Sequence, residues 1–87
     1  MKYNLSFHSK AWNEYLYWQS QDKKTLKKIN SLIESICRGN LIAKSEKLKG
    51  NLLGCNSLHI NDKDRLVYKI MNNFIQIVQL KGHYNDE

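Results

Sequence analysis

The sequence predicts an α+β domain in the order β-α-α-β-β-β, with a helical hairpin packed on one face of a small antiparallel sheet. Three observations predict it. Apolar residues alternate at the start, two stretches with helical apolar spacing follow, and three strand-like runs separated by tight turns fill the C-terminal half.

Tyr3, Leu5 and Phe7 alternate with Lys2, Asn4 and Ser6, the period of a strand with one buried face. Ser9 is the expected N-cap of a helix whose stripe is Ala11, Trp12, Tyr15 and Leu16. After a break at Ser20-Gln21-Asp22 comes a clearer helix. Leu26, Ile29, Leu32, Ile33 and Ile36 share one face; Lys23, Lys24, Lys27, Lys28, Ser31, Glu34 and Arg38 take the other. Gly39 fits its C′ stop, because a left-handed backbone is cheap for glycine. From Asn40 to Asn56 the periodicity disappears, which reads as loop, a common home for functional side chains. Strand character returns at Ser57–Ile60, resumes at Arg65–Met71 after the turn Asn61-Asp62-Lys63-Asp64, and ends with Phe74–Leu80. Asn72-Asn73 suits a two-residue hairpin turn, since Asn tolerates positive φ.

Facing the helices, Leu66, Tyr68, Ile70, Ile75 and Ile77 should pack inward. Arg65, Val67 and Lys69 should then line a shallow basic concavity on the other side. A regular two-residue hairpin would make Arg65 oppose Leu80 and turn His83 away from it. A bulge at Lys81-Gly82, or an odd-length loop, would bring His83 round, so an irregularity is expected in that hairpin.

The 87 residues form one domain, 1–87, with no repeat, linker or proline. Fourteen Lys+Arg against eight Asp+Glu give a net charge of +6, which at this size speaks about partners: RNA, DNA, an anionic membrane or an acidic protein. No run approaches the roughly 18 apolar residues of a membrane span, and Met1 to Trp12 has no signal-peptide core, so a cytoplasmic polyanion leads. Cys37 and Cys55 lack the spacing of a zinc site and read as reduced, small apolar fillers. No metal or cofactor is expected.

RNA can be cut without metal because it carries its own nucleophile, the 2′-hydroxyl. The protein supplies a base, an acid and positive charge for the phosphorane. Imidazole suits proton transfer, with a free pKa of roughly 6.5. A carboxylate serves as base if desolvation or positioning offsets its weak basicity, and a guanidinium grips phosphate with a planar fork. Glu46, Arg65 and His83 are one candidate of each kind. Taken singly, each has an ordinary structural role: Glu46 as a solvated counter-charge, Arg65 as a surface residue, His83 as part of a frayed tail, Tyr84 as a core cap.

Taken together they sit in a larger pattern. Trp12-Asn13-Glu14-Tyr15-Leu16-Tyr17-Trp18-Gln19 is followed by Asp22-Lys23 and Lys27-Lys28-Ile29-Asn30-Ser31-Leu32-Ile33. Next come Glu46-Lys47-Leu48-Lys49-Gly50-Asn51-Leu52-Leu53-Gly54, Ser57, Ile60, Arg65-Leu66-Val67-Tyr68 and His83-Tyr84. In this order and spacing the chain closely resembles the YoeB (Txe) branch of the RelE-type toxins, ribosome-dependent mRNA interferases of type II toxin–antitoxin systems. The resemblance implies metal-independent cleavage of mRNA in the ribosomal A site by 2′-hydroxyl attack, neutralisation by a small YefM/Axe-like antitoxin, and a homodimer. It implies that Glu46 and His83 share the base and acid roles, with the division between them open, and that Arg65 stabilises the transition state. Lys49 and Tyr84 would contact the RNA.

The chain departs from that pattern in places. Cys55-Asn56 stand for an aromatic pair and Leu58-His59 for basic residues, which implies less charge and stacking surface beside the site. His59 would replace a lost arginine only when protonated. Ser45 replaces a usual proline, which should loosen the loop before Glu46. The extra Asn85-Asp86-Glu87 reads as an inert frayed tail, the alternative being carboxylates that weaken RNA binding or raise the basicity of His83. Three other functions compete: a same-fold toxin against another target such as gyrase, a non-catalytic nucleic-acid-binding module, and an inactive degenerate toxin.

Overall fold

The structure, a computed structural model, describes residues 2–83; Tyr84 and the expected tail Asn85-Asp86-Glu87 lie outside the described residues. Strand β1 (Asn4–Phe7) leads into helices α1 (Ser9–Gln21) and α2 (Lys23–Cys37). Strands β2 (Glu46–Lys47), β3 (Cys55–His59), β4 (Arg65–Met71) and β5 (Phe74–Gln79) follow. The sheet order is β1-β5-β4-β3-β2.

The α+β class and the helical hairpin on one face stand, but the sheet is mixed and has five strands. β1 runs parallel to β5, with Leu5 opposite Ile75 and Phe7 opposite Ile77. The remaining ladders are antiparallel. β2 is too short for its two residues to show a period, so the aperiodic 40–56 stretch concealed it.

The helix boundaries follow from their caps. His8, not Ser9, caps α1, because its Nδ1 accepts from the Lys10 N–H at 3.2 Å. Asp22 both ends α1 and caps α2, accepting from the Thr25 N–H at 3.1 Å and its hydroxyl at 2.7 Å. Those bonds hold its carboxyl below the ordinary carboxylate value. α2 ends as expected. Gly39, at φ 89°, donates to the Ile36 carbonyl and Asn40 to that of Ser35, a Schellman motif.

The main core lies between the helices and the sheet. Ala11, Trp18, Ile29, Ile33 and Ile36 meet Leu66, Tyr68, Ile75, Ile77 and Leu80, with Ile70 packed at the margin. This is the inward face expected from alternation in β4 and β5. The opposite face is less open than expected. The chain after β2, with its 3₁₀ turn at Gly50–Leu52, folds Leu48 and Leu52 over Val67, Cys55 and Val78 as a second, smaller core.

Ser45 is buried, and its hydroxyl donates to the Leu41 carbonyl at 2.9 Å and lies 2.6 Å from the Tyr68 hydroxyl. It fastens the chain before Glu46, contrary to the expected loosening. Cys37 and Cys55 are free and buried. Among the described residues no helix is long and apolar enough to cross a membrane.

Candidate active site

The sheet face turned away from the helices carries the candidate residues. Glu46 pairs with Ser57, Ser57 with Val67, and Val67 with Gln79, so these four form one row across four strands. His59 pairs with Arg65 on the same face, one step along. Cross-strand partners share a face, so Glu46, His59 and Arg65 lie on one surface. Glu46 is two strands and two residues from Arg65, about 12 Å between Cα atoms from ideal strand dimensions.

Arg65 is no loose surface residue. It is only 8% exposed, and its Nη1 donates to the carbonyls of Asn61 (2.8 Å), Asp62 (3.2 Å) and Asp64 (3.2 Å). The guanidinium is thus braced by the β3–β4 turn from which it projects. Among the described residues no hydrogen bond to Nε or Nη2 accompanies these. Glu46, Lys49 and His59 are exposed, His59 directly opposite Arg65.

The irregularity expected in the β4–β5 hairpin is present, but not where expected. The Asn72-Asn73 turn is the two-residue loop, with Met71 opposite Phe74 and Asn72 at φ 51°. The register shift falls between Val67 and Tyr68, which pair with Gln79 and Ile77 and leave Val78 as the extra residue. The shift keeps Val78 on the side of the second core and turns Gln79 onto the face of Arg65.

Beyond β5, the chain is held by groups that the sequence did not single out. Leu80 donates its N–H to Glu14 Oε1 (2.7 Å), and its carbonyl accepts from Trp18 Nε1 (2.8 Å), both partners on α1. Gly82 takes φ 81°, donates its N–H to Asp64 Oδ1 (2.7 Å), and accepts from the Arg65 N–H (3.1 Å). Gln79, 6% exposed, gives its side-chain amide to the carbonyls of Gly82 (3.0 Å) and His83 (2.9 Å). The His83 side chain is exposed. The sequence signal for this anchorage was slight, a glutamine ending a largely apolar strand. Tyr84 is outside the described residues. No three His, Cys, Asp or Glu side chains cluster as metal ligands among the described residues.

A helical hairpin on a mixed sheet, with an arginine braced on the far face beside a pinned C-terminal turn, defines a RelE-like toxin domain. A family model described as the YoeB-like toxin of bacterial type II toxin–antitoxin systems matches residues 7–84, and the chain belongs to that family. Toxin YoeB of Streptomyces coelicolor is 42% identical over 82 residues, covering 92% of this chain and 98% of that protein. Toxin YoeB of Escherichia coli K12 is 39% identical with the same coverage. Among solved structures, a YoeB dimer from Staphylococcus aureus superposes with a TM-score of 0.85 at 44% identity, over 97% of this chain and 100% of that one. The YoeB–YefM complex from the same species gives 0.82 at 46%, with the same coverage.

Proposed function

We propose that this toxin is a cytoplasmic, metal-independent, ribosome-dependent endoribonuclease that cuts mRNA in the A site and so stops translation. The observation that carries the reading is the meeting of three strand ends on one face. Glu46 and Arg65 share that face, and the turn bearing His83 is hydrogen-bonded to the main chain of Arg65 itself.

In this mechanism one of Glu46 and His83 takes the proton of the RNA 2′-hydroxyl as its oxygen attacks the adjacent phosphorus. The other gives a proton to the departing 5′-oxygen, leaving a cyclic phosphate and a free 5′-hydroxyl. The charge of the phosphorane falls on Arg65. Its braced guanidinium is already oriented and undergoes little reorganisation during the reaction. Lys49 and His59 would meet flanking phosphates, and Tyr84 would help position the RNA. The nucleophile belongs to the substrate, so the scheme calls on no cofactor.

Two relatives from Staphylococcus aureus were solved as a dimer and in complex with YefM. By extension, this chain pairs with itself and with a small YefM-like antitoxin. An acidic antitoxin segment that folds on binding would cover the basic face or displace the His83 turn.

Primer extension on a translated message, comparing wild type with Glu46→Ala and His83→Ala, tests the proposal. Wild type should produce discrete mRNA ends, and each variant should nearly abolish them while still binding antitoxin. A wild-type pattern of ends from His83→Ala would refute the mechanism. Growth arrest with intact mRNA would favour another target.

A further inference from the structure

Among the described residues no hydrogen bond holds the His83 imidazole; what is held is the main chain that carries it. The Gly82 N–H donates to Asp64 Oδ1, and the Gly82 carbonyl accepts from both the Arg65 N–H and Gln79 Nε2. The His83 carbonyl accepts from that same Gln79 nitrogen. Gly82 turns the chain through a left-handed conformation between these bonds. Two side chains, one from the β3–β4 turn and one from the end of β5, therefore fix the main chain that carries His83.

We infer that Asp64 and Gln79 are positioning residues for His83, setting the direction in which its imidazole meets the scissile phosphate. The inference rests on the nuclease reading above. Asp64 is suited to the task because it directly precedes Arg65. Its carbonyl accepts from Arg65 Nη1 at 3.2 Å while its carboxylate holds Gly82 at 2.7 Å. One turn thus aligns the guanidinium and the imidazole together, and any shift of the turn moves both. Gln79 supplies what the strand cannot: after the bulge at Val78 the regular ladder ends, and one buried amide nitrogen takes up two successive carbonyls. An amide can do this and a carboxylate cannot, because both partners are acceptors.

The test is single-turnover mRNA cleavage in a purified translation system by Asp64→Ala, Asp64→Asn and Gln79→Met, each alone and combined with His83→Ala. Asp64→Ala and Gln79→Met should lower the cleavage rate by about tenfold to a hundredfold, the scale of an ångström-sized misplacement. Antitoxin affinity should be preserved. Asp64→Asn keeps an oxygen that accepts from Gly82 and should recover most of the rate. In the His83→Ala background the Gln79→Met loss should disappear, because there is no imidazole left to aim, and the Asp64→Ala loss should shrink to the part that acts through Arg65.

Wild-type rates for Asp64→Ala and Gln79→Met, or equal losses with and without His83, would overturn the inference. Asp64 lies in a half-buried turn, so its variants keep the test sound if Gln79→Met does not fold. Full activity of His83→Ala alone would instead refute the nuclease reading, which separates the two failures.

Discussion

The Ser45–Tyr68 contact gives an asymmetry that can be worked out from hydrogen counting. Ser45 has one hydroxyl proton and donates it to the Leu41 carbonyl at 2.9 Å. Across the 2.6 Å contact, Tyr68 must therefore be the donor. Tyr68→Phe removes that donor, while Ser45 keeps its bond to Leu41. The expected cost is that of one ordinary hydrogen bond, about 1 kcal/mol. Ser45→Ala strands the Tyr68 hydroxyl in a core where the residue has 0% exposure. Leu41 still accepts from the Lys44 N–H, so the stranded phenol dominates, at about 2 kcal/mol. In a domain of this size that corresponds to a fall in Tm of roughly 8–16 °C. The double variant leaves no unmatched group and should be no worse than Ser45→Ala alone. Urea titration of the four proteins measures the cycle, and cleavage assays report whether slack before Glu46 lowers activity. Equal costs for the two single changes, or strict additivity, would refute the assignment of donor and acceptor.

Three further outcomes follow from the same structure. Trp18→Phe removes the donor to the Leu80 carbonyl and should cost about 1–3 kcal/mol in thermal melts, with amide exchange accelerating first around Leu80. Burial pushes the Cys37 and Cys55 thiols and the Tyr68 phenol above their ordinary values of 9.0 and 10.0. The unfolded chain then releases these protons before the folded one, so urea titrations should show stability full below pH 9 and falling as pH rises through that range. His59→Arg places a permanent charge opposite Arg65 and should steepen the salt dependence of single-stranded RNA binding by about 0.7 in log–log slope, measured over a KCl series.

Some of this architecture was legible in the residues and some was not, for identifiable reasons. The second helix could be read because Ile29, Ile33 and Ile36 repeat at the helical period against lysines, and because Gly39 takes a backbone that glycine favours. The faces of β4 followed from simple alternation. The parallel docking of β1 on β5 could not be read, because alternation says which side is buried but not which neighbour an edge strand accepts. The bulge was foreseen, yet placed at Lys81-Gly82 instead of Val78. Glycine drew attention, whereas the extra residue falls beside Val67, where it lets the buried Gln79 amide take up the carbonyls of Gly82 and His83. Glu46, Arg65 and His83 stood out by chemical type. Asp64 and Gln79 did not, since a turn aspartate and a strand glutamine are unremarkable until their partners are known.

That second core also changes how the departures around Ser57 are to be understood. Cys55 and Asn56 stand where an aromatic pair was expected, which suggested lost stacking surface for RNA. Yet Cys55 is 8% exposed and packs with Val67 and Leu48, and Asn56 is 5% exposed opposite Tyr68 on the helix side. In this arrangement neither side chain is available to stack on a base. The loss is absorbed by packing, the thiol lying in the second core between loop and sheet and the amide on the helix side. Leu58 likewise pairs with Leu66 and packs against the main core. Of these four positions only His59 is both exposed and on the face of Arg65. Any difference in RNA preference arising from this strand must therefore act through that one imidazole and its charge, while the other three changes tune how firmly the sheet supports the site.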